Sequence, residues 1–469
     1  MLPFVNTGGV AADDYLSSGL TDELAHALAR LPGMRVAGRT SSYAFAGTSR
    51  GVQDIARALG VDAVVAGTLR RAGDELRVTT QLVNAADGMV LWDSVYESRT
   101  RDVFALQDEL TRAITAAVAP ALGDDYAAAS AGRGTGDLEA YDLYLEGRYY
   151  WQQRGEKNIS RAIDYFRQAL ARDPAFARAQ AGLALAYGVL PVYARTANDS
   201  AAALTAASAE RALALDSTLA DTRLALGLSL DMQMRFPEAQ VQYRKALALD
   251  PSSVTAHHFL GFSLLTVGRT NEALVELRHA SELDPLATAP ASAVATALLF
   301  ARRFPEARLA ARRTLEIDSA FAFGILTLGL SQALDGQPDS AVSALERGVR
   351  LHRGDSGQLA ALLFAYAAAG RWGDAQRVRA QLRRPGGDTR DGSDAALAEL
   401  VFGDPEPLVR LLTSHEGQRR HILIGSLFGC DPLLDPLWSD ARFRAAMRRI
   451  SVQACPVARA WPIRPLAHP

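Results

Sequence analysis

The first residues that could do chemistry are Gly354-Asp355-Ser356-Gly357. These four residue types surround the nucleophilic serine of one class of serine proteases, in which two β-barrels bring a histidine and an aspartate to the serine. Here the motif falls between two helical segments, where turn residues are expected, and a motif without its structural context is weak evidence. We therefore predict no catalysis by Ser356. A hydrolase with an unrecognised site is the alternative, and loss of activity in Ser356→Ala would support it.

Two adjacent histidines, His257 and His258, are candidate metal ligands. Neighbouring side chains on a helix point to different faces, and no third ligand follows at helical spacing, so we predict no metal site. We expect His257 to pack within its own helix pair and His258 to face a groove. The sequence contains no phosphate-binding glycine loop, dinucleotide fingerprint or kinase signature, so no cofactor is expected either. The aromatic residues Trp92, Tyr96 and Phe104 are expected in the core of the first domain.

Composition and charge exclude several classes of partner. The 50 basic and 52 acidic residues nearly cancel, so no overall field favours nucleic acid or an anionic membrane. Apolar residues make up 49% and charged residues 22%, which is typical of a soluble globular protein. The longest uncharged stretch, 285–301, is shorter than the roughly 20 apolar residues of a spanning helix. No charged signal-peptide start is present, so the expected compartment is the cytoplasm, with the periplasm as the alternative if a membrane segment precedes the chain.

The two cysteines, Cys430 and Cys455, lie near the C-terminus. Without histidines at suitable spacing they cannot form a structural zinc site. Two buried thiols are the expected state, and a single disulfide that holds the tail is the alternative. The sequence leaves the oligomeric state open.

The first 122 residues mix strand and helix patterns. Residues 76–82 alternate apolar and polar side chains, as a half-buried strand does, and turn residues on both sides predict a three-stranded meander over 64–97. Helical spacing of apolar residues appears three times, and the last such helix ends at Pro120. The predicted strands are 2–5, 34–37 and the meander, and the predicted helices are 20–31, 52–59 and 103–117. The order β-α-β-α-β-β-β-α indicates a small α/β domain.

After residue 137 the chain repeats itself every 34 positions. The phrase FPEA at Phe236 returns at Phe304, and NEA at Asn271 lies between them. Small and apolar residues fall in columns: Gly227, Gly261, Ala295 and Gly329; Ala239, Ala273, Ala307 and Ala341; Leu226, Leu260, Val294 and Leu328. Small residues let two antiparallel helices approach closely, and such a pair must stack on its neighbours to bury its apolar face. Four units keep this register from 220 to 355, two looser units precede them, and a seventh follows from Ser356.

These columns resemble the tetratricopeptide repeat. The first domain is similar to the TolB-like amino-terminal domain in the segments LPFVN, YLSSGLTDELAHALARL, DIARALGVDAVVAGTLRRAGDELRVTTQLVNAADGMVLWDSVYE and DVFALQDELTRAI. The resemblance implies a bacterial protein, because bacterial proteins commonly join the two. In relatives the pair often follows a kinase, a cyclase or a winged-helix domain. The expected layout is a TolB-like domain at 1–122, a linker at 123–136, an all-α solenoid of about seven repeats at 137–385, and a degenerate helical cap and tail at 386–469.

In such an array the first helices of successive units line a concave groove. By register the groove candidates are Leu224, Leu228, His258, Phe262, Phe300, Phe323, Leu326 and Leu330. This largely apolar set predicts a non-enzymatic scaffold that binds a protein or peptide segment. One alternative is that neighbouring turns or the C-terminal helices cover these residues. A second is that the chain is the regulatory or sensor part of a signalling protein whose catalytic domain lies elsewhere.

Overall fold

The computed structural model describes residues 1–9, 13–29, 31, 33–99, 103–118, 134–193, 198–353, 355–383, 392–414 and 430–453. Within these ranges a small sheet-and-helix domain is followed by a long run of paired helices, which confirms the predicted fold class. The predicted linker lies mostly outside the described residues, so the domain boundaries stay predictions. Among the described helices none has the length and apolar character that crossing a bilayer requires.

Four strands of the first domain form one sheet: β1 Val5–Asn6, β2 Ala63–Ala72, β3 Glu75–Asn84 and β4 Val90–Arg99. They lie in the order β1-β2-β3-β4, with β1 parallel to β2 and the other pairs antiparallel. On β3 the side chains of Leu76, Val78 and Leu82 are buried, while those of Arg77, Thr79 and Gln81 are exposed. The predicted meander and its alternation are therefore confirmed.

The described helices of this domain are α1 Asp14–Ala29, α2 Arg39–Tyr43, α3 Val52–Leu59 and α4 Val103–Val118, of which α1, α3 and α4 contact the sheet. Leu20, Leu24 and Leu110 from these helices are buried in one cluster with the strand residues. Trp92 and Tyr96 pack against that cluster, whereas the side chain of Phe104 lies outside the described residues.

The predicted strand at 34–37 is wrong. The structure gives this segment no strand, because β1 takes the place beside β2 and leaves 34–37 without a ladder partner. The chain turns instead toward the helical array, where the Gly38 amide donates to the Leu283 carbonyl at 2.5 Å. A strand needs a neighbouring strand to satisfy its backbone groups, and a short apolar run cannot provide one by itself.

Seven helix pairs follow within the described residues and form a tetratricopeptide-like solenoid. The first and second helices of each pair are α5 Leu138–Gln153 and α6 Glu156–Arg172, α7 Ala177–Tyr193 and α8 Asn198–Leu215, α9 Ala220–Met232 and α10 Phe236–Leu249, α11 Val254–Thr266 and α12 Thr270–Leu283, α13 Thr288–Phe300 and α14 Phe304–Ile317, α15 Ala322–Leu334 and α16 Pro338–Leu351, α17 Ser356–Ala368 and α18 Trp372–Leu382. Every pair packs on the next, as stacked repeats do.

Glycines on first helices receive large side chains from second helices. A Cβ built on Gly227 would lie 2.3 Å from the Tyr243 ring, and one on Gly329 would lie 2.4 Å from Leu345. Contacts this short do not occur between real atoms, so any larger residue at these two positions would force the neighbouring side chain to move. The column of small residues therefore sets the distance between the two helices of a repeat, as its register predicted.

The chain then folds back along the solenoid through α19 Ser393–Val401, α20 Glu406–Thr413, a 3-10 helix at Pro432–Ser439 and α21 Ala441–Arg449. We call residues 430–453 the C-terminal segment. It packs on the turns that follow first helices: the Gln453 amide donates to the Val267 carbonyl, and the buried Arg302 forms an ion pair with Asp435 at 2.5 Å. One edge of the solenoid is thereby covered over the turns at 267–268 and 302.

The first domain packs on the opposite edge, where first helices begin. Glu23 of α1 forms a largely buried ion pair with Arg178 of α7. Asp284, which lies just before α13, accepts hydrogen bonds from the backbone amides of Thr40 at 3.2 Å and Ser41 at 2.7 Å. A carboxylate from the solenoid therefore caps the N-terminus of α2 in the other domain.

Candidate partner-binding groove

The structure places the eight predicted groove residues on α9, α11, α13 and α15, and their side chains differ in solvent exposure. Four are buried: Leu224, Leu228, Phe300 and Leu330. Three are half-buried: His258, Phe262 and Leu326. Phe323 is exposed, with 48% of its surface accessible. The side chains that a partner can reach are therefore a subset of the predicted set, and the binding role of the set stays a prediction.

Neighbouring helices account for part of this cover. Gly188 of α7 lies against Leu228, so that a Cβ on the glycine would come within 3.0 Å of the leucine side chain. Near Phe300, Arg302 donates to the carbonyls of both Phe300 and Cys430, which ties the end of α13 to the C-terminal segment. The sequence left open that neighbouring turns or the C-terminal helices cover the groove set, and this alternative stays a prediction. The neighbour of Leu228 lies within helix α7, and the contact near Phe300 is made to its backbone carbonyl.

The two adjacent histidines have different neighbours. His257 is buried within its repeat, with Nδ1 2.7 Å from a Glu276 carboxylate oxygen and Nε2 3.1 Å from the Pro251 carbonyl. The ring of His258 lies 4.8 Å from the ring of Phe262, and that His258 faces the groove stays a prediction. Burial, and after it the charge of Arg154, lowers the pKa of His258 to about 4, so its ring is neutral at pH 7.

A basic and aromatic cluster beside His258 was not predicted. Arg154 follows α5, and its guanidinium carbon lies 3.9 Å from the centroid of the buried Trp151 ring. Arg154 also acts electrostatically on Tyr193 at the end of α7 and on His258 of α11. The sequence signal was the aromatic run Tyr149-Tyr150-Trp151 next to an arginine, but the period of 34 does not connect it with His258, which lies three repeats later.

The serine of the protease-like motif lies at a helix start. Ser356 is the first residue of α17, it is buried, and its hydroxyl donates to Asp394 at 2.5 Å. Asp355 caps the same helix by accepting the Gln358 amide, while Gly354 lies outside the described residues. The residues around Ser356 therefore have the structural role of a helix N-terminus, as expected of a junction between repeats.

Groups of acidic, histidine and cysteine residues suited to a metal are absent from the part of the chain that the structure describes. Cys430 is buried against the turn at Gly268. Cys455 lies outside the described residues, so the alternatives of two thiols and one disulfide are untested.

The chain is similar to known proteins over parts of its length. No family model matches the chain, so its resemblance to the TolB-like domain stays a prediction. A curated relative from Rhizobium meliloti (strain 1021), named "Putative adenylate cyclase 3", is 32% identical over 185 residues, which are 39% of this chain and 32% of that protein. The chain thus spans about a third of the length of the curated relative it matches.

Solved structures are similar at lower identity. PilF of Pseudomonas aeruginosa is 22% identical, and the match covers 47% of this chain and 95% of that one with a TM-score of 0.37. A monomeric mutant of IFIT1 with Gppp-AAAA is 14% identical, and the match covers 74% of this chain and 76% of that one with a TM-score of 0.47. The predicted exclusion of nucleic acid is not tested by these likenesses.

Proposed function

We propose that this chain is a non-enzymatic scaffold that binds an extended segment of another protein along the concave side of its solenoid. The observation that carries the proposal is the incomplete cover of His258 and Phe262 on α11 and of Phe323 and Leu326 on α15, and we call these four residues the strip. Aromatic and apolar side chains that folding leaves uncovered are available to a partner.

The surroundings of the strip favour a segment over a globular partner. The first domain occupies the edge where first helices begin, through Asp284 and Arg178. The C-terminal segment occupies the edge where first helices end, through Val267 and Arg302. With both edges occupied, a single strand or helix of a partner fits the remaining surface better than a globular face does.

Site-specific photo-crosslinking tests this function. A benzoyl-phenylalanine is placed at Phe323, and as a matched control at Leu309, which is 70% exposed on the second helix α14. We expect the probe at position 323 to crosslink the partner and the probe at 309 not to. With the identified partner in purified form, Phe323→Asp with Leu326→Asp should raise the dissociation constant at least about tenfold.

Control substitutions keep this test specific. Val275→Asp with Leu309→Asp adds the same charges to second helices, where the two side chains are 64% and 70% exposed, and should leave the affinity unchanged. Leu228→Asp is not a suitable groove variant, because Leu228 is only 2% exposed and the substitution would bury a charge. Equal crosslinking at positions 323 and 309 would rule out the groove as the interface.

A second function, the regulatory or sensor part of a bacterial signalling protein, is favoured by the likeness to the cyclase-named relative. Its test is to mix the purified chain with the cyclase or kinase domain encoded beside it and to measure product formation. We expect the chain alone to form no cyclic AMP from ATP and to change the rate of that domain several-fold. An unchanged rate at saturating concentration of the chain would remove this candidate.

A further inference from the structure

Strand β4 is the long open edge of the sheet in the first domain. The sheet has the order β1-β2-β3-β4, so β4 has a neighbouring strand on one side only. It has ten residues, whereas β1 at the opposite edge has two. Among the residues that the structure describes, no backbone hydrogen bond from a loop or helix reaches the outer side of β4. Its outward N–H and C=O groups are therefore available to a further strand.

The same edge exposes apolar side chains. Within residues 89–95, four large apolar side chains are between 48% and 65% exposed: Met89, Val90, Leu91 and Val95. Natural edge strands are commonly protected by lysine or proline, and β4 contains neither residue. A β-bulge lies at Leu82 and Val83 of β3, and beyond it the pairing of β4 with β3 is regular over 92–99. A regular stretch of strand with exposed apolar side chains therefore remains open on its outer side.

One face of β4 presents charged and apolar groups in a fixed order. Residues at alternate positions share a face of the sheet, and four exposed ones on this face are Asp93, Val95, Glu97 and Arg99. Trp92 and Tyr96 on the other face pack on the buried cluster of the domain. An antiparallel strand added beside β4 would meet the exposed row at directly opposite positions. Its residues therefore need to complement a cation, an anion, an apolar group and a second anion, in that order.

Strand β3 provides part of this complementarity on the occupied side. It places Glu75 opposite Arg99 and Arg77 opposite Glu97, and the Arg77 and Glu97 charges form an ion pair at 3.5 Å. Asp93 lies opposite a glutamine and has no cation across from it on β3. A strand with acidic, basic, apolar and basic residues at alternate positions would repeat the β3 arrangement on the outer side and would add a cation opposite Asp93.

A second copy of β4 fits this edge less well. A twofold axis at Val95 would place Asp93 against Glu97 of the second copy, and like charges at opposite positions are destabilising. Axes at the residues on either side of Val95 would place its side chain against a carboxylate. The charges of β4 therefore favour a segment of different sequence over a symmetric pairing of two identical strands.

We propose that the outer edge of β4 binds an extended segment of another protein as a fifth, antiparallel strand. The segment carries, at alternate positions, an acidic, a basic, an apolar and a second basic residue, which lie opposite Arg99, Glu97, Val95 and Asp93. Main-chain hydrogen bonds to β4 hold the segment, and the charged positions select it. This site belongs to the first domain and is separate from the groove of the solenoid.

A blocked synthetic peptide of the sequence Thr-Glu-Thr-Lys-Thr-Val-Thr-Lys-Thr is the test ligand, and a second peptide exchanges glutamate and lysine at the three charged positions. Fluorescence anisotropy of the labelled peptides measures binding to the full chain, and hydrogen exchange of the chain locates the bound peptide. We expect the first peptide to bind saturably and to slow exchange of the outward amides within 91–99. The charge-reversed peptide should bind at least about tenfold more weakly.

Substitutions on β4 test the edge directly. Val95→Lys adds a cation at a position that is 48% exposed and should weaken binding of the first peptide at least about tenfold. Val241→Lys is the matched control, since Val241 is 47% exposed on α10, and it should leave binding unchanged. Asp93→Lys should also weaken binding, and a peptide with glutamate in place of its last lysine should recover the affinity for this variant. Circular dichroism checks that each variant is folded.

Three results with the peptides would overturn the proposal: equal affinity of the charge-reversed peptide, unchanged exchange over 91–99 at saturating peptide, or no saturable binding. Analytical ultracentrifugation of the full chain tests the other occupant. A dimer that Val95→Lys converts to a monomer would also overturn the proposal, because the edge would then pair with a second copy.

Discussion

The interior of the solenoid and its contact with the first domain are built from different chemistry. Inside the solenoid, small residues face large apolar ones, as Gly227 faces Tyr243. The contact with the first domain contains one such pair, Gly19 against Leu145, but adds charged groups that meet across long chain separations, as in the pair of Glu23 with Arg178. Contacts of the first kind recur within repeats at Gly147, Gly261 and Gly329. The charged contacts occur at single positions.

One column of aspartates contains both contacts within a repeat and a contact between the domains. Asp250, Asp284 and Asp318 are 34 residues apart and each ends a second helix. Asp250 accepts from Ser252, and Asp318 accepts from Ala320, within their own turns. Asp284 accepts instead from Thr40 and Ser41 of the first domain. The aspartate accepts a hydrogen bond within its own turn in two repeats and from the first domain in the third. Equivalent positions of the repeat therefore have different partners.

The largest effect is expected from Glu23→Ala. It leaves Arg178 largely buried without its carboxylate, and an uncompensated buried charge costs about 3 kcal/mol. Urea denaturation followed by circular dichroism should show this loss. Arg303→Ala breaks an exposed pair with Glu306 and should cost less than about 1 kcal/mol. Equal losses in the two variants would mean that the contact between the domains is no stronger than a surface ion pair.

A slightly smaller effect is expected inside the solenoid from Ala239→Leu. Ala239 has no exposed surface, and overpacking a filled position costs about 1–3 kcal/mol. Thermal unfolding should detect it. Val241→Leu on the same helix lies at a position that is 47% exposed and should change stability by less than about 0.5 kcal/mol. An unchanged melting temperature for Ala239→Leu would contradict the repeat register.

A pH-dependent contribution to stability is expected from Asp231, a carboxyl group buried among the packed helices of the solenoid. Its carboxylate accepts from Tyr243 at 2.7 Å and Ser263 at 2.9 Å, and burial raises its pKa from 3.8 to about 7. The folded state therefore binds this proton more tightly than the unfolded state does. Its contribution to stability is complete below about pH 4 and is lost as the pH rises through 7, by at most about 1.4 kcal/mol per pH unit.

Asp231→Asn isolates this contribution from those of other carboxyl groups. The difference in unfolding free energy between the variant and the parent protein should change steadily between pH 4 and 7, and chemical denaturation at four pH values measures it. Parallel pH profiles for the two proteins would contradict a raised pKa at Asp231.

The smallest effect is expected from Asp284→Ala, which removes the cap of α2. Loss of an N-cap costs about 1 kcal/mol, and hydrogen exchange should accelerate at residues 39–43. Asp318→Ala removes only a turn contact at the equivalent position and should leave exchange at 39–43 unchanged. Equal acceleration of exchange at residues 39–43 by both substitutions would contradict a specific cap of α2 by Asp284.

Periodicity explains how much the sequence could predict. The columns through Gly227 and Ala239 place the helix pairs because their small residues recur at a spacing of 34. The contact of Asp284 with Ser41 occurs at one of three equivalent aspartates, and that of Arg154 with Trp151 lies in a unit whose register is looser. Nothing in their spacing distinguishes them from solvent-exposed polar residues. The same limit applies to the groove set, whose positions followed from register while the packing of Gly188 against Leu228 did not.

Because Asp284 caps α2, this helix can be completed only after Asp284 has been synthesised. The ribosome releases residues 39–43 early, yet the carboxylate that completes this helix emerges 243 residues later than Ser41, after four helix pairs have been made. Until then the amides of Thr40 and Ser41 lack the carboxylate that accepts from them in the finished protein. The N-terminus of α2 is therefore completed later than the contact of the same domain with Arg178.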